Sequence, residues 1–71
     1  MFRIGDLIVD TFCAPEAMGA GMITEIKKVD EGLKFVVDFP TLNQVVRFTE
    51  KELISQIGIG DFEYYPVKRA H

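Results

Sequence analysis

Residues 22 to 39, MITEIKKVDEGLKFVVDF, decide how this chain folds. In their second half Phe35, Val37 and Phe39 alternate with Lys34, Val36 and Asp38, the period-two pattern of a strand with one face in a core. In the first half the alternation slips. Ile23 and Ile26 stand three apart, so strict period two cannot turn both inward. A bulge near Thr24 and Glu25, or a sharp bend there, accommodates them, and such bends let a short sheet curl on itself. Between the halves, Asp30-Glu31-Gly32 predicts a tight turn whose glycine takes positive φ. The stretch predicts a bent hairpin in a curled sheet.

Downstream, Pro40 stops the strand, PTLNQ (40–44) turns the chain, and Gln44, Val46 and Phe48 alternate with Val45 and Arg47 in a fourth strand. Thr49, followed three residues later by Glu52, forms a capping box, and Phe48 with Leu53 a hydrophobic staple. Together they predict a helical turn over 50–56, stopped by Gly58. A fifth strand follows, either at 57–60 or within FEYYPV (62–67). Upstream, residues 6–10 form a first strand with Leu7 and Val9 inward, Asp6 and Asp10 outward and solvated, and Ile8 an apolar exception. Residues 11–21, TFCAPEAMGAG, form a long loop punctuated by Pro15, Gly19 and Gly21. The expected core is Ile4, Leu7, Val9, Ile23, Ile26, Phe35, Val37, Phe39, Val46, Phe48, Leu53 and Ile57. The fold class is all-β: a small five-stranded barrel over residues 1–60 with one helical turn, and a strand or tail over 61–71 packing on it.

Seventy-one residues, 48% apolar and 27% charged, suit one small globular domain. Cys13 is the only cysteine, so no internal disulfide forms, and no Cys/His cluster offers a zinc site. It reads as a small apolar loop residue. No stretch approaches the roughly 18 apolar residues of a membrane helix, so the expected location is the cytoplasm, or a host cytoplasm for a phage protein. The net charge is −3, and the eight basic residues are scattered, with IKKVDEG following two lysines at once by two acids. Clustered cations are what phosphate binding requires, so nucleic acid is disfavoured as a partner. His71, the single histidine, is terminal, and neither GAG nor GIG follows a strand and opens a helix as a phosphate loop must. No catalytic residue, cofactor or metal is expected.

In this order the residues resemble an SH3-like barrel of the Tudor or KOW kind. The likeness rests on IGDLIV, then GAGMITEI, then FVVDF, then VVRFTEKEL, spanning residues 4–57. It is similar in its GD…GxGxI…F rhythm to the CarD-type RNA-polymerase-binding domain and to the Tudor-like C-terminal domain of UvrD-type helicases. What the resemblance implies is a non-enzymatic module that docks on RNA polymerase or a helicase partner, partly by pairing an exposed strand edge. The first loop is longer than in those families, and GDFEYYPVKRAH has no counterpart in them. Of the aromatics a cation-binding Tudor cage would need, only Phe12 and Phe39 stand near the right places.

Candidate partner-binding residues are Phe12, Glu16 and Met18 in the long loop and Phe62, Tyr64 and Tyr65 near the end. Met and aromatics are enriched at interfaces. Phe12 and Met18 either fold over one barrel end or form a contact patch. Phe62 and Tyr64 share one strand face and Tyr65 the other, so one face covers the core and the other is free for a partner. Two alternatives stand beside docking. One is a direct nucleic-acid-binding barrel, which needs Lys27, Lys28, Lys34 and Arg47 on one face. The other is a small inhibitory or structural subunit of a larger complex, phage-encoded or not. Edge strands also permit a homodimer.

Overall fold

The computed structural model describes residues 2–11 and 19–68. Five strands and one helix follow in the order β1 (Leu7–Asp10), β2 (Gly19–Val29), β3 (Gly32–Phe39), β4 (Gln44–Thr49), α1 (Glu50–Gly58) and β5 (Phe62–Tyr65). The bent hairpin is the spine of the sheet. Its register runs Ile23 opposite Val37 and then, after a shift between Ile23 and Glu25, Glu25 opposite Val36 and Ile26 opposite Phe35. The bulge thus falls where the slipped alternation places it, and it lets Ile23 and Ile26 both reach the core side. Val29 pairs with Gly32 across the turn, and Gly32 holds φ at +125°, a conformation open to glycine.

A 3-10 turn over Pro40–Leu42 ends β3, and Asn43 in the left-handed region (φ 53°) leads into β4. At the far end of β4, Thr49 caps α1: its hydroxyl accepts from the Glu52 N–H at 3.0 Å, while the Thr49 N–H donates to the Glu52 carboxylate at 2.7 Å. The helix runs through Gly58, longer than the expected turn over 50–56, because Gly58 keeps helical geometry. The chain leaves it at Ile59, whose N–H returns to the Ser55 carbonyl. The fifth strand then forms at the later of its two expected places.

All neighbouring strands are antiparallel, in the order β4-β3-β2-β1-β5. The expected barrel is not closed by backbone pairing: among the described residues β4 and β5 are the two ends of the sheet. The reason lies between them, where α1 connects the two strands and packs against both. Side chains cross this seam, with the Phe48 and Phe62 rings edge to face at 5.4 Å.

The core comprises Ile8, Ile23, Phe35, Val37, Phe39 and Leu53, with Phe2, Ile26, Val46, Phe48, Phe62 and Tyr64 packed against it. Gly21 makes room for it. A Cβ there would stand 2.7 Å from the Phe39 ring and from Val37, so β2 crosses the core where only hydrogen fits. Two expected core residues are exposed instead, Leu7 at 38% and Ile4 at 58%, while Ile8 is fully buried. Ile8 rather than Leu7 thus turns inward from β1, with Asp6 buried just ahead of the strand, while Val9 is buried as expected at 8% exposure. Asp6, expected to be solvated, is 1% exposed. Its burial is possible because three hydrogen-bond donors reach its carboxylate.

Candidate functional site

The Asp6 carboxylate joins three parts of the chain. Tyr64 Oη donates to Oδ2 at 2.6 Å, the Arg3 N–H to the same oxygen at 2.8 Å, and the Val67 N–H to Oδ1 at 2.9 Å. The segment is tied to β2 as well, through Gly5 N–H to the Ile23 carbonyl and Ile23 N–H to the Asp6 carbonyl. Burial pushes the Asp6 carboxyl up, but the Tyr64 hydroxyl and the two amides outweigh it and hold the group below its ordinary 3.8. Burial, then the hydrogen bond to Asp6 and its charge, push the Tyr64 phenol up to about 12. A carboxylate so held is a poor proton acceptor near neutrality. Its chemistry is that of a clasp between the N-terminal segment, β5 and the residues after it.

The surface facing away from the core has a different character. Cross-strand registers put Leu7 opposite both Met22 and Tyr65, Met22 opposite Asp38, and Asp38 opposite Val45. Opposed residues of paired strands share a face, so Tyr65, Leu7, Met22, Asp38 and Val45 form one row across all five strands. The four apolar members are exposed: Tyr65 49%, Leu7 38%, Met22 45% and Val45 61%. Asp38 is the single acid within the row.

Beside this row lie charges of both signs. Lys27 pairs with Lys34, and Val36 with both Glu25 and Arg47, so Lys27, Lys34 and Arg47 share the outer face with Glu25. Lys27 Nζ lies 3.9 Å from the Glu25 carboxylate. Lys28 is opposite Leu33 and faces the other way. Three of the four cations a nucleic-acid surface would need are therefore gathered, with Glu25 and Asp38 interleaved among them.

Of the sequence-derived candidates, Tyr65 lies in the outer row. Phe62 is half-buried against Phe39 and Phe48, and Tyr64 is engaged by Asp6 and stands edge to face with Phe2 at 5.1 Å. Phe12, Glu16 and Met18 lie outside the described residues, as does Cys13. Leu7, Met22 and Val45 were not among the candidates. The signal that finds them is register: each is unremarkable along its own strand and notable only beside its partners on the next. No helix among the described residues is long and apolar enough to cross a membrane. Compared with protein-family models, curated proteins and solved structures, the chain matches none.

Proposed function

We propose that this chain is a non-enzymatic protein-docking module of a nucleic-acid-processing machine in the cytoplasm, with RNA polymerase or a helicase as the partner. The observation that carries the docking reading is the exposed row Tyr65–Leu7–Met22–Asp38–Val45, in which three adjacent apolar side chains and a fourth beyond Asp38 stand in register across the sheet. Contiguous exposed apolar surface on a small domain marks an interaction site more often than an isolated apolar residue does. Beside it the mixed charges of Lys27, Lys34, Arg47 and Glu25 resemble the polar rim of a protein interface. An SH3-like barrel is the fold we favour. The return of β5 to pair with β1, the helix between β4 and β5, and the phenyl rings across the seam support it. The choice of polymerase or helicase rests on the sequence resemblance.

Affinity capture on the immobilised chain, from a lysate of the cells that make it, tests the proposal. A retained polymerase or helicase subunit is the expected result, and recovery of neither counts against it. Direct nucleic-acid binding is the second reading, favoured by the shared face of Lys27, Lys34 and Arg47 and opposed by the interleaved acids. A gel-shift titration at low and moderate salt separates the two. Retardation that weakens steeply with salt would support nucleic acid.

A further inference from the structure

On the helix side of the molecule, away from the outer row, Phe2, Glu50, Ile54, Ile57, Gly58 and Tyr64 line a groove of about 380 Å³. Its walls come from three places that the fold brings together. Phe2 and Tyr64 stand edge to face, Tyr64 is fixed from behind by the Asp6 hydrogen bond, and one face of α1 closes the other side. The size is at the lower end for ligand sites, which run from about 300 Å³. It suits one or two side chains better than a cofactor.

Among the described residues the lining is apolar apart from one charge. Glu50 opens α1, is half-buried, and has no ion-pair partner among the described residues. Arg3 acts electrostatically on Tyr64 but does not line the groove. The Asp6 carboxylate behind Tyr64 adds a second negative charge at this end of the molecule, accompanied by the Arg3 cation that acts on it. Among the described residues the groove therefore presents an aliphatic and aromatic floor with a carboxylate and no lining cation. Ile54, 58% exposed, leaves it open to a chain from outside.

We propose that this groove seats a short segment of a protein partner in which an aliphatic side chain is followed by Lys or Arg, the aliphatic group between Phe2, Ile54 and Ile57 and the cation against Glu50. The proposal is independent of the outer row and stands or falls separately from it.

Gly58 provides the control. It is helical, and a Cβ placed there meets nothing within 4 Å. Gly58→Phe therefore adds a ring at the edge of the groove from a position whose Cβ is unobstructed, and replacing a helical glycine favours the helix; a melting curve beside each titration separates lost binding from unfolding. The probes are the blocked dipeptides acetyl-Leu-Lys-amide, acetyl-Leu-Glu-amide and acetyl-Gly-Lys-amide, titrated to millimolar concentration into the 15N-labelled full chain and followed by amide shifts. Acetyl-Leu-Lys-amide should shift the amides of Ile54, Ile57 and Gly58 and bind roughly two- to fivefold more tightly than acetyl-Leu-Glu-amide, as a partly exposed charge pair allows. Acetyl-Gly-Lys-amide should bind more weakly still. Glu50→Gln should erase the preference for Lys over Glu, and Gly58→Phe should abolish all three titrations while the melting temperature holds or rises. Absent shifts at these amides, equal affinity for the Lys and Glu probes, or unchanged binding in Gly58→Phe would overturn the proposal. So would shifts at the same amides on concentrating the free protein, which would assign the groove to a second copy of the chain.

Discussion

Asp6 is an acid with 1% of its surface exposed, tolerated because three donors reach its two oxygens. Its carboxyl is depressed in the folded state, so it adds stability at any pH above the ordinary carboxyl value of 3.8, and that contribution is lost as pH falls through the lower folded value. Tyr64 has the opposite sign. Its phenol is raised from 10.0 to about 12, so its contribution is present below pH 10.0 and is lost as pH rises through about 12. Tyr64→Phe removes one donor from Asp6 and leaves burial less opposed. The acid unfolding midpoint, followed by circular dichroism, should move to higher pH, and stability at neutrality should fall by about 1 kcal/mol. Asp6→Ala strands all three donors and should cost on the order of 3 kcal/mol in urea unfolding. An acid midpoint unmoved in Tyr64→Phe would mean the hydrogen bond does not set the Asp6 ionisation.

Gly21 answers to space rather than to backbone angle. A methyl group there would sit 2.7 Å from the Phe39 ring and Val37, and both neighbours are packed in the core. Gly21→Ala should destabilise by about 1–3 kcal/mol, where an ordinary strand glycine would gain from the same change. Neither Asp6 nor Gly21 could be read from the sequence. The tyrosine that makes Asp6 tolerable is 58 residues away, and an acid at the edge of a strand pattern reads by default as solvated.

The elements were far more legible, because their signals are local. The slipped spacing of Ile23 and Ile26 announced the bulge, Asp30-Glu31-Gly32 the turn, and Thr49 with Glu52 the start of the helix, and each stands where its residues place it. Thr49→Ala removes the hydroxyl that accepts from the Glu52 N–H. It should cost about 1 kcal/mol, seen as a lower urea midpoint with an unchanged slope. The end of the helix was less legible: Gly58 is a stop signal by composition, yet its backbone stays helical and the chain turns only at Ile59 and Gly60. In β1 Leu7 is exposed and Ile8 buried against expectation, with Val9 buried as expected, for a related reason. Leu7, Ile8 and Val9 are apolar in succession, so the pattern carries no phase, and the hydrogen-bonded Asp6 sets which side goes in.

At the scale of the whole molecule, the sheet order and the helix between its two ends leave one face of the strands uncovered by the helix, and the row Tyr65–Leu7–Met22–Asp38–Val45 crosses it. Such a row is invisible in one dimension, since its members come from five strands and meet only through register. Tyr65 alone of them was singled out from the sequence. The same geometry separates the row from the groove beside α1, so the two surfaces can be altered one at a time. Met22→Glu and Val45→Glu place charges on exposed positions, 45% and 61% accessible, and should leave the melting temperature within a few degrees of the parent.

The most direct test of docking through the outer face is a side-by-side capture experiment with the parent chain and the Met22→Glu/Val45→Glu double variant, each shown beforehand to melt at the same temperature. The parent should retain a polymerase or helicase subunit and the double variant should lose it by at least about tenfold, the equivalent of roughly 1.4 kcal/mol of interface. Equal retention by both chains, or capture of no such subunit by either, would contradict it.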